Sequence, residues 1–275
     1  MKHSPPPPVK KLLWLGDLHL DRINHDLREQ FLKQLNQMEY DAVVITGDTS
    51  DGRQLANHLA QLANASASKP VYFCLGNHDY YSSNFKAVHE MAESVCKRHD
   101  NLHFLGNGEI IRLTGNTALV GHGGWANGHT GWGRNTLVKS RDHSSICDFR
   151  DLSRQDIFIR MNQLGKESAG YFRRVMPYAL SRFSNLIICT HAPPFPEASQ
   201  FDHKVCGWTH LPFFCNLAAG KAIAGITKNH PNRRVTVVCG HTHCPASVDI
   251  LDNLRVCVGG AKRGAPAIQG ILDVN

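Results

Sequence analysis

Five short segments of the chain concentrate side chains that bind metal ions or move protons. They are Gly16-Asp17-Leu18-His19, Gly47-Asp48-Thr49-Ser50-Asp51, Gly76-Asn77-His78-Asp79, Thr190-His191-Ala192-Pro193 and Gly240-His241-Thr242-His243. Asp17 and His19 stand two apart, as do His241 and His243, a spacing that keeps both side chains on one side of an extended chain. Carboxylate, imidazole and amide oxygen without thiolate suit Mn²⁺, Fe or Zn²⁺ rather than a structural cysteine-zinc site. Asp17, His19, Asp48, Asn77, His191, His241 and His243 are too many ligands for one ion, whereas two ions bridged by a carboxylate would use them all. Two ions roughly 3.5–4 Å apart can hold a hydroxide between them and clamp a phosphoryl oxygen, the arrangement used for in-line displacement at phosphorus.

Such a constellation needs elements that bring distant residues to one place. Each segment follows a short apolar run, and the strands expected are Lys11–Leu15, Ala42–Thr46, Val71–Leu75, Ala118–Val120, Leu186–Thr190, Val235–Cys239 and Leu254–Val258. Runs of this kind, rich in Val, Ile and Leu, read as central strands buried on both faces. Helical periodicity places helices over Asp26–Met38, Arg53–Ala65, Asn84–His99 and Gln155–Phe183, the last with a break expected at Gly165 or Pro177. The alternation is that of an α/β domain, in which ligands bind outside the carboxyl ends of the strands. The glycine before each polar cluster is read as letting the backbone turn without a Cβ clash. Gly123–Ser153, rich in Gly, Asn, Arg, His and Trp and without a period, reads as an irregular loop over the site. Together with the helices after it, it is expected to form a loop and helical cap over about residues 123–185. The organisation expected is a disordered Pro-rich tail over residues 1–10 and one domain over 11–275.

Composition narrows the setting. With 275 residues, 42% hydrophobic and 19% charged, the chain suits one large globular domain and excludes a disordered or fibrous protein. No apolar run approaches the ~20 residues that cross a bilayer, so no membrane partner is expected. Leu12–Leu15 is too short for the core of a signal peptide. Nine cysteines, an odd count with no C-x-x-C pair, read as reduced and buried thiols and, with the missing leader, as a cytoplasmic protein. The net charge of +7 favours a polyanionic partner, but no cluster is dense enough to mark a nucleic-acid stripe.

The ordered blocks D-x-H, GD-x-x-D, GNH(D/E), H and GH-x-H, running from Asp17 to His243, resemble the calcineurin-like metallophosphoesterase superfamily. The resemblance implies a four-layer α/β/β/α sandwich. It implies one metal held by Asp17, His19, Asp48 and His243 and a second by Asp48, Asn77, His191 and His241. Two divalent ions are expected, Mn²⁺ first, with Fe, Zn²⁺ or Ni²⁺ as alternatives. The resemblance also implies that His78 lies beside the metals without binding them, and protonates the leaving group or stabilises charge on the phosphoryl oxygens. Asp79 would then orient His78. The activity implied is hydrolysis of a phosphate monoester or diester by a metal-bridging hydroxide.

Protein Ser/Thr phosphatases of the superfamily carry arginines in the second and third blocks. The matching positions are Gly52 and Leu75, and Asp79 replaces Glu, which disfavours that subclass. GNHD is the form found in many diesterases and repair nucleases, so a DNA or RNA nuclease is the alternative, with a nucleotide or nucleic acid as substrate. A non-catalytic scaffold is disfavoured because all seven ligands and His78 are retained. His122 is read either as facing the cleft or as a plain loop residue, and Trp125 and Trp132 either as stacking on a planar substrate or as packing. Among the substrate contacts expected are His122, Trp132 and Arg134, while Arg141, Arg150, Lys262 and Arg263 are read as a phosphate path or as solvated surface. Asp51 is expected to order its loop through backbone amides, and Cys239 and Cys244 to be structural.

Overall fold

Strands and helices alternate through the first third of the chain: β1 (Lys11–Leu15), α1 (His25–Gln37), β2 (Ala42–Thr46), α2 (Leu55–Ala65), β3 (Val71–Cys74), α3 (Phe85–Cys96) and β4 (Leu102–Phe104). The computed structural model describes residues 8–201, 204–262 and 264–275. Residues 1–7 of the Pro-rich tail and Arg263 lie outside the described residues. Val9, expected from sequence to lie in the disordered tail, is instead buried, and its N–H donates to the Leu113 carbonyl (2.8 Å). Side-chain caps start α1 and α3, where Asn24 accepts the Leu27 N–H (2.9 Å) and Asn84 the Ala87 N–H (2.8 Å). β1 to β4 run parallel in that order.

The remaining elements are β5 (Ile111–Arg112), β6 (Thr117–Gly121), α4 (Asp142–Ser145), α5 (Cys147–Arg150), α6 (Arg154–Arg182), β7 (Asn185–Cys189), a small ribbon of β8 (Gln200–Phe201) and β9 (Lys204–Val205), α7 (Leu211–Phe214), α8 (Leu217–Lys228), β10 (Arg234–Cys239), β11 (Ala246–Leu251), β12 (Leu254–Val258) and β13 (Ile268–Asp273). A second sheet runs β11-β12-β10-β7-β6-β5, with β12, β10, β7 and β6 parallel and the two edges antiparallel. β13 returns to the first sheet as an antiparallel neighbour of β1.

The strands alternate between two buried faces. Leu13 and Leu15 join the helices α1–α3 on the outer face, while Leu12 and Trp14 meet Leu119, Ile187 and Val238 of the second sheet. On the far side, Val120, Ile188 and Val237 pack against Phe172 and Met176 of α6 and Ile223 of α8. The result is the expected four-layer α/β/β/α sandwich.

Two expectations from sequence change. α6 runs unbroken for 29 residues through both Gly165 and Pro177. Gly165 is a packing residue, because a Cβ there would stand 2.6 Å from the Cβ of Asn127. At Pro177 the lost backbone bond is offset by burial of Phe172, Met176, Ala179 and Leu180 against the sheet. The helix expected in a cap is therefore largely a layer of the sandwich, since its second half covers the second sheet. Residues 123–153 are irregular as expected, apart from α4, α5 and a single 3₁₀ turn at Gly133–Asn135. The edge strands β4, β5, β11 and β13 were not expected from sequence. No disulfide is present among the described residues, and no described helix is long and apolar enough to cross a membrane.

Candidate metal centre

The five polar segments leave the carboxyl ends of β1, β2, β3, β7 and β10, so both sheets feed one crevice. Their backbones lock together. The Asp17 N–H donates to the Gly47 carbonyl (3.1 Å), the His19 N–H to that of Asp48 (3.0 Å), and the His241 N–H to the Asp17 carboxylate (3.0 Å). Asp17, His19, Asp48, His241 and His243 all adopt left-handed backbone conformations, with φ between 44° and 73°. Each such residue costs roughly 1–3 kcal/mol and persists only where its surroundings over-determine it. The role of the glycines thus differs from the expectation at Gly76 and Gly240, which are needed for close approach. A Cβ at Gly76 would run into the Asp48 carboxylate, and one at Gly240 into that of Asp17.

Asp17, His19, Asp48 and His243 offer ligand atoms that all lie within 4.8 Å of one another. Next to them, His191 Nε2 is 3.3 Å from Asp48 Oδ1 and 3.0 Å from Asn77 Oδ1, and His241 Nδ1 is 2.9 Å from the same amide oxygen. Asp48 belongs to both groups, with Oδ2 3.7 Å from His19 Nε2 and Oδ1 towards His191.

The outward bonds of these side chains show which electrons face inward. His191 Nδ1–H donates to the Thr46 carbonyl (2.8 Å) and His241 Nε2–H to that of Phe213 (2.8 Å), while Asn77 Nδ2 donates to Asp142 Oδ1 (2.8 Å). His191 Nε2, His241 Nδ1, Asn77 Oδ1 and Asp48 Oδ1 therefore meet as lone pairs at about hydrogen-bond distance with no proton between the two rings and the amide oxygen. A cation relieves that repulsion, so the donors fit divalent metal ions. Burial pushes His19 down to about 3 and His241 to about 4, and lowers His191 as well, keeping the imidazoles neutral as ligands must be. Burial and then the neighbouring Asp17 charge drive Asp48 well above the usual carboxylate range. Burial also works against ionisation of Asp17, but its bond to His243 and the nearby imidazoles hold it below the usual value. His243 is pushed up: burial opposes its charge, and the Asp17 contact outweighs it.

His78 stands at the edge of this group, its Nε2 3.9 Å from Asp48 Oδ2. Arg22 Nη2 donates to His78 Nδ1 (2.5 Å), which leaves the ring proton on Nε2. Burial, followed by His19 and Arg22, depresses His78 far below its ordinary value, so the ring is neutral. Its ring lies 4.1 Å from that of Tyr81.

Asp79 departs from the role expected of it. Its two oxygens accept the Ser50 N–H (2.9 Å) and the Gly76 N–H (2.8 Å), so it ties two site loops together, and the partner that orients His78 is Arg22. Asp51 accepts the Gln54 N–H (3.0 Å), the local role anticipated for it. Arg22, Tyr81 and Asp142 were missed in the sequence. Asp142 fixes the Asn77 amide and accepts the Tyr81 hydroxyl (2.7 Å), and no motif marks any of the three.

Above the centre lies a cleft of 340 Å³ whose walls include His78, Tyr81, Arg141, Phe213 and His243. His122, Trp132 and Arg134, expected as substrate contacts, are not among its lining residues. Trp132 is 55% exposed on a loop pinned to Trp208 by its N–H (2.9 Å), where no wall of the cleft reaches it. His122 lines a separate cavity, with Nδ1 accepting the Gly124 N–H (3.0 Å). Trp125 is buried against Phe85 and Phe149, which is packing.

A family model for calcineurin-like phosphoesterases matches residues 10–245. An uncharacterized metallophosphoesterase of Campylobacter jejuni is 28% identical over 100 residues, covering 35% of this chain and 25% of that protein. A transmembrane protein with a metallophosphoesterase domain from Bos taurus is 32% identical over 87 residues, 30% of this chain and 20% of that protein. The matched stretch thus spans a quarter or less of these curated relatives. The fold is shared with a dimetal phosphatase from Danio rerio (TM-score 0.54, 13% identity, 94% of this chain and 90% of that one). It is also shared with the protein TT1561 of Thermus thermophilus (TM-score 0.52, 15% identity, 92% and 89%). Since the matched region reaches from before β1 to just beyond His243, and so takes in every segment that feeds the crevice, the chain belongs to the calcineurin-like phosphoesterase family.

Proposed function

We propose that the chain hydrolyses small phosphate mono- or diesters with two divalent metal ions bridged by Asp48, one held by Asp17, His19 and His243 and the other by Asn77, His191 and His241. The observation that carries this reading is the division of Asp48, one oxygen towards His19 and the other towards His191. Bound there, the ions would polarise the phosphoryl group and activate the attacking water. The nitrogen and oxygen donors favour Mn²⁺, with Fe, Zn²⁺ and Ni²⁺ as competitors.

The chain's own residues supply the rest. Thr46, Phe213 and Asp142 hold the ligand tautomers and the Asn77 amide in place, which fixes where the ester can sit. His78 offers its Nε2 proton as a hydrogen bond to a phosphoryl oxygen on which charge develops. Because Arg22 donates to Nδ1, His78 cannot take a second proton there without breaking that bond. Of the two roles that the resemblance implied, stabilising charge thus fits better than protonating the leaving group. The test is turnover of bis-p-nitrophenyl phosphate and p-nitrophenyl phosphate by protein loaded with Mn²⁺. Metal-dependent release of nitrophenol supports the reading, and no release from either ester by metal-loaded protein refutes it.

A further inference from the structure

Beside the cleft over the metal centre lies a larger cavity of 740 Å³, and Tyr81 and Arg141 belong to the walls of both. Arg22, Arg141 and Arg150 line it together with two carboxylates, Asp21 and Asp51. Asp21 faces Arg22 (3.5 Å) and Asp51 accepts the Gln54 N–H (3.0 Å), so three guanidinium groups stand against two carboxylates on this lining. Arg22 is itself held by His78 and Asp21. Arg141 and Arg150 are different. Arg141 lies 6.0 Å from the centroid of the Tyr81 ring, and Arg150 donates through Nε to the Ser144 carbonyl (3.2 Å), which leaves its two Nη nitrogens available. No ion pair to a carboxylate engages either among the described residues. Arg141 immediately precedes α4, whose Ser144 and Ser145 N–H groups bond back to its carbonyl (3.1 Å each), and Arg150 ends α5.

His78, the Tyr81 ring against it and Arg141 thus follow one another along the cleft, and Arg141 and Arg150 both line the adjoining cavity. Two guanidinium groups without an ion pair, lining a cavity that shares Tyr81 and Arg141 with the reaction cleft, offer donors to an oxyanion. We propose that the substrate is a phosphate ester carrying a second phosphate group, the scissile one at the metals and the other held by Arg141 and Arg150. This rests on the phosphoesterase reading above and names the class of ester it acts on. The second phosphate takes no part in bond breaking. It adds binding energy and fixes which end of the ester enters the metal cleft.

The test uses two matched pairs of probes on the metal-loaded, full-length chain. Calorimetry compares thymidine 3′,5′-bisphosphate with thymidine 5′-monophosphate, and kinetics compare their 5′-p-nitrophenyl esters. The bisphosphate is expected to bind about tenfold or more tightly, and its ester to show a kcat/KM higher by a similar factor, mainly through KM. In the Arg141→Ala/Arg150→Ala double variant both ratios should fall towards one. Equal binding of the two nucleotides by the wild-type protein overturns the proposal without reference to any variant. So does a preference that persists in the double variant. If the bisphosphate binds preferentially but neither ester is hydrolysed, the second anion site stands and the phosphoesterase reading falls.

Discussion

At the scale of single residues the site depends on which atoms carry protons. Arg22 and His78 are 56 positions apart, and their contact decides the tautomer of the imidazole on which the chemistry leans. His78→Ala should lower kcat by roughly 10²–10³-fold, the range seen when one preorganised donor to developing charge is removed, with metal content unchanged. The loss should be equal for a nitrophenyl ester and an alkyl ester, because the proton that the leaving oxygen takes up does not come from His78. A loss much larger for the alkyl ester would make His78 a general acid instead. The carboxylate and imidazole environments give a second prediction. Asp48 and His243 are pushed up before a cation arrives, by burial with the Asp17 charge and by the Asp17 contact respectively. Both must lose protons to become ligands, so metal binding near neutral pH should release protons and its affinity should rise with pH. Titration calorimetry in buffers of different ionisation enthalpy measures this directly, and binding heats independent of the buffer would contradict it.

Elements set the precision of these contacts. β1, β2 and β10 end in loops whose candidate ligands adopt left-handed conformations, and the glycines at 76 and 240 allow carboxylates to press against the neighbouring backbone. Gly240→Ala should push the Asp17 carboxylate aside and reduce both metal content and turnover. Gly225→Ala, in the middle of α8 where an added Cβ meets nothing within 4 Å, should instead stabilise the protein by roughly 0.5–1 kcal/mol with metal content unchanged. Thermal melts and metal analysis of the two variants separate a glycine kept for closeness from one that merely costs helix stability. Equal metal content in both variants would contradict the role given to Gly240.

The elements also show where sequence is informative. The central strands were legible because parallel strands buried on both faces must be nearly continuously apolar, as Ala42, Val43, Val44 and Ile45 are in β2, and because each stops at a polar cluster. β11 was not, since its residues alternate between partly buried and exposed positions at the sheet edge and include Ser247 and Asp249. The candidate ligand residues, which the fold gathers in one crevice, stood out by type and spacing. Arg22, Tyr81 and Asp142 were invisible because only the folded chain brings Tyr81 and Asn77 to a residue more than 60 positions away. The loop at Trp132, Arg134 and Arg141 carried suggestive side chains, and of the three the fold puts only Arg141, read from sequence as phosphate path or solvated surface, on the lining of the cleft.

For the whole molecule, two sheets with separate outer cores are joined by an apolar interface and, at one end, by the metal centre. Asp17, His19, Asp48 and Asn77 come from the first sheet, and His191, His241 and His243 from the second. Metal binding should therefore hold the two halves of the sandwich together, and a ligand at 100 times its dissociation constant adds about 2.7 kcal/mol to folding stability. Chelation should lower Tm by several degrees, and an unchanged melt would show that the centre contributes nothing to holding the sheets. The most direct test of the central claim is the number of metal ions bound per chain, counted by elemental analysis after saturation and desalting, in the wild type and in Asp48→Asn. Two ions per wild-type chain are expected, and a fall at both sites, with turnover falling in step, when the bridging carboxylate becomes an amide. A saturated wild-type chain that holds one ion and hydrolyses phosphate esters at its full rate would contradict that claim.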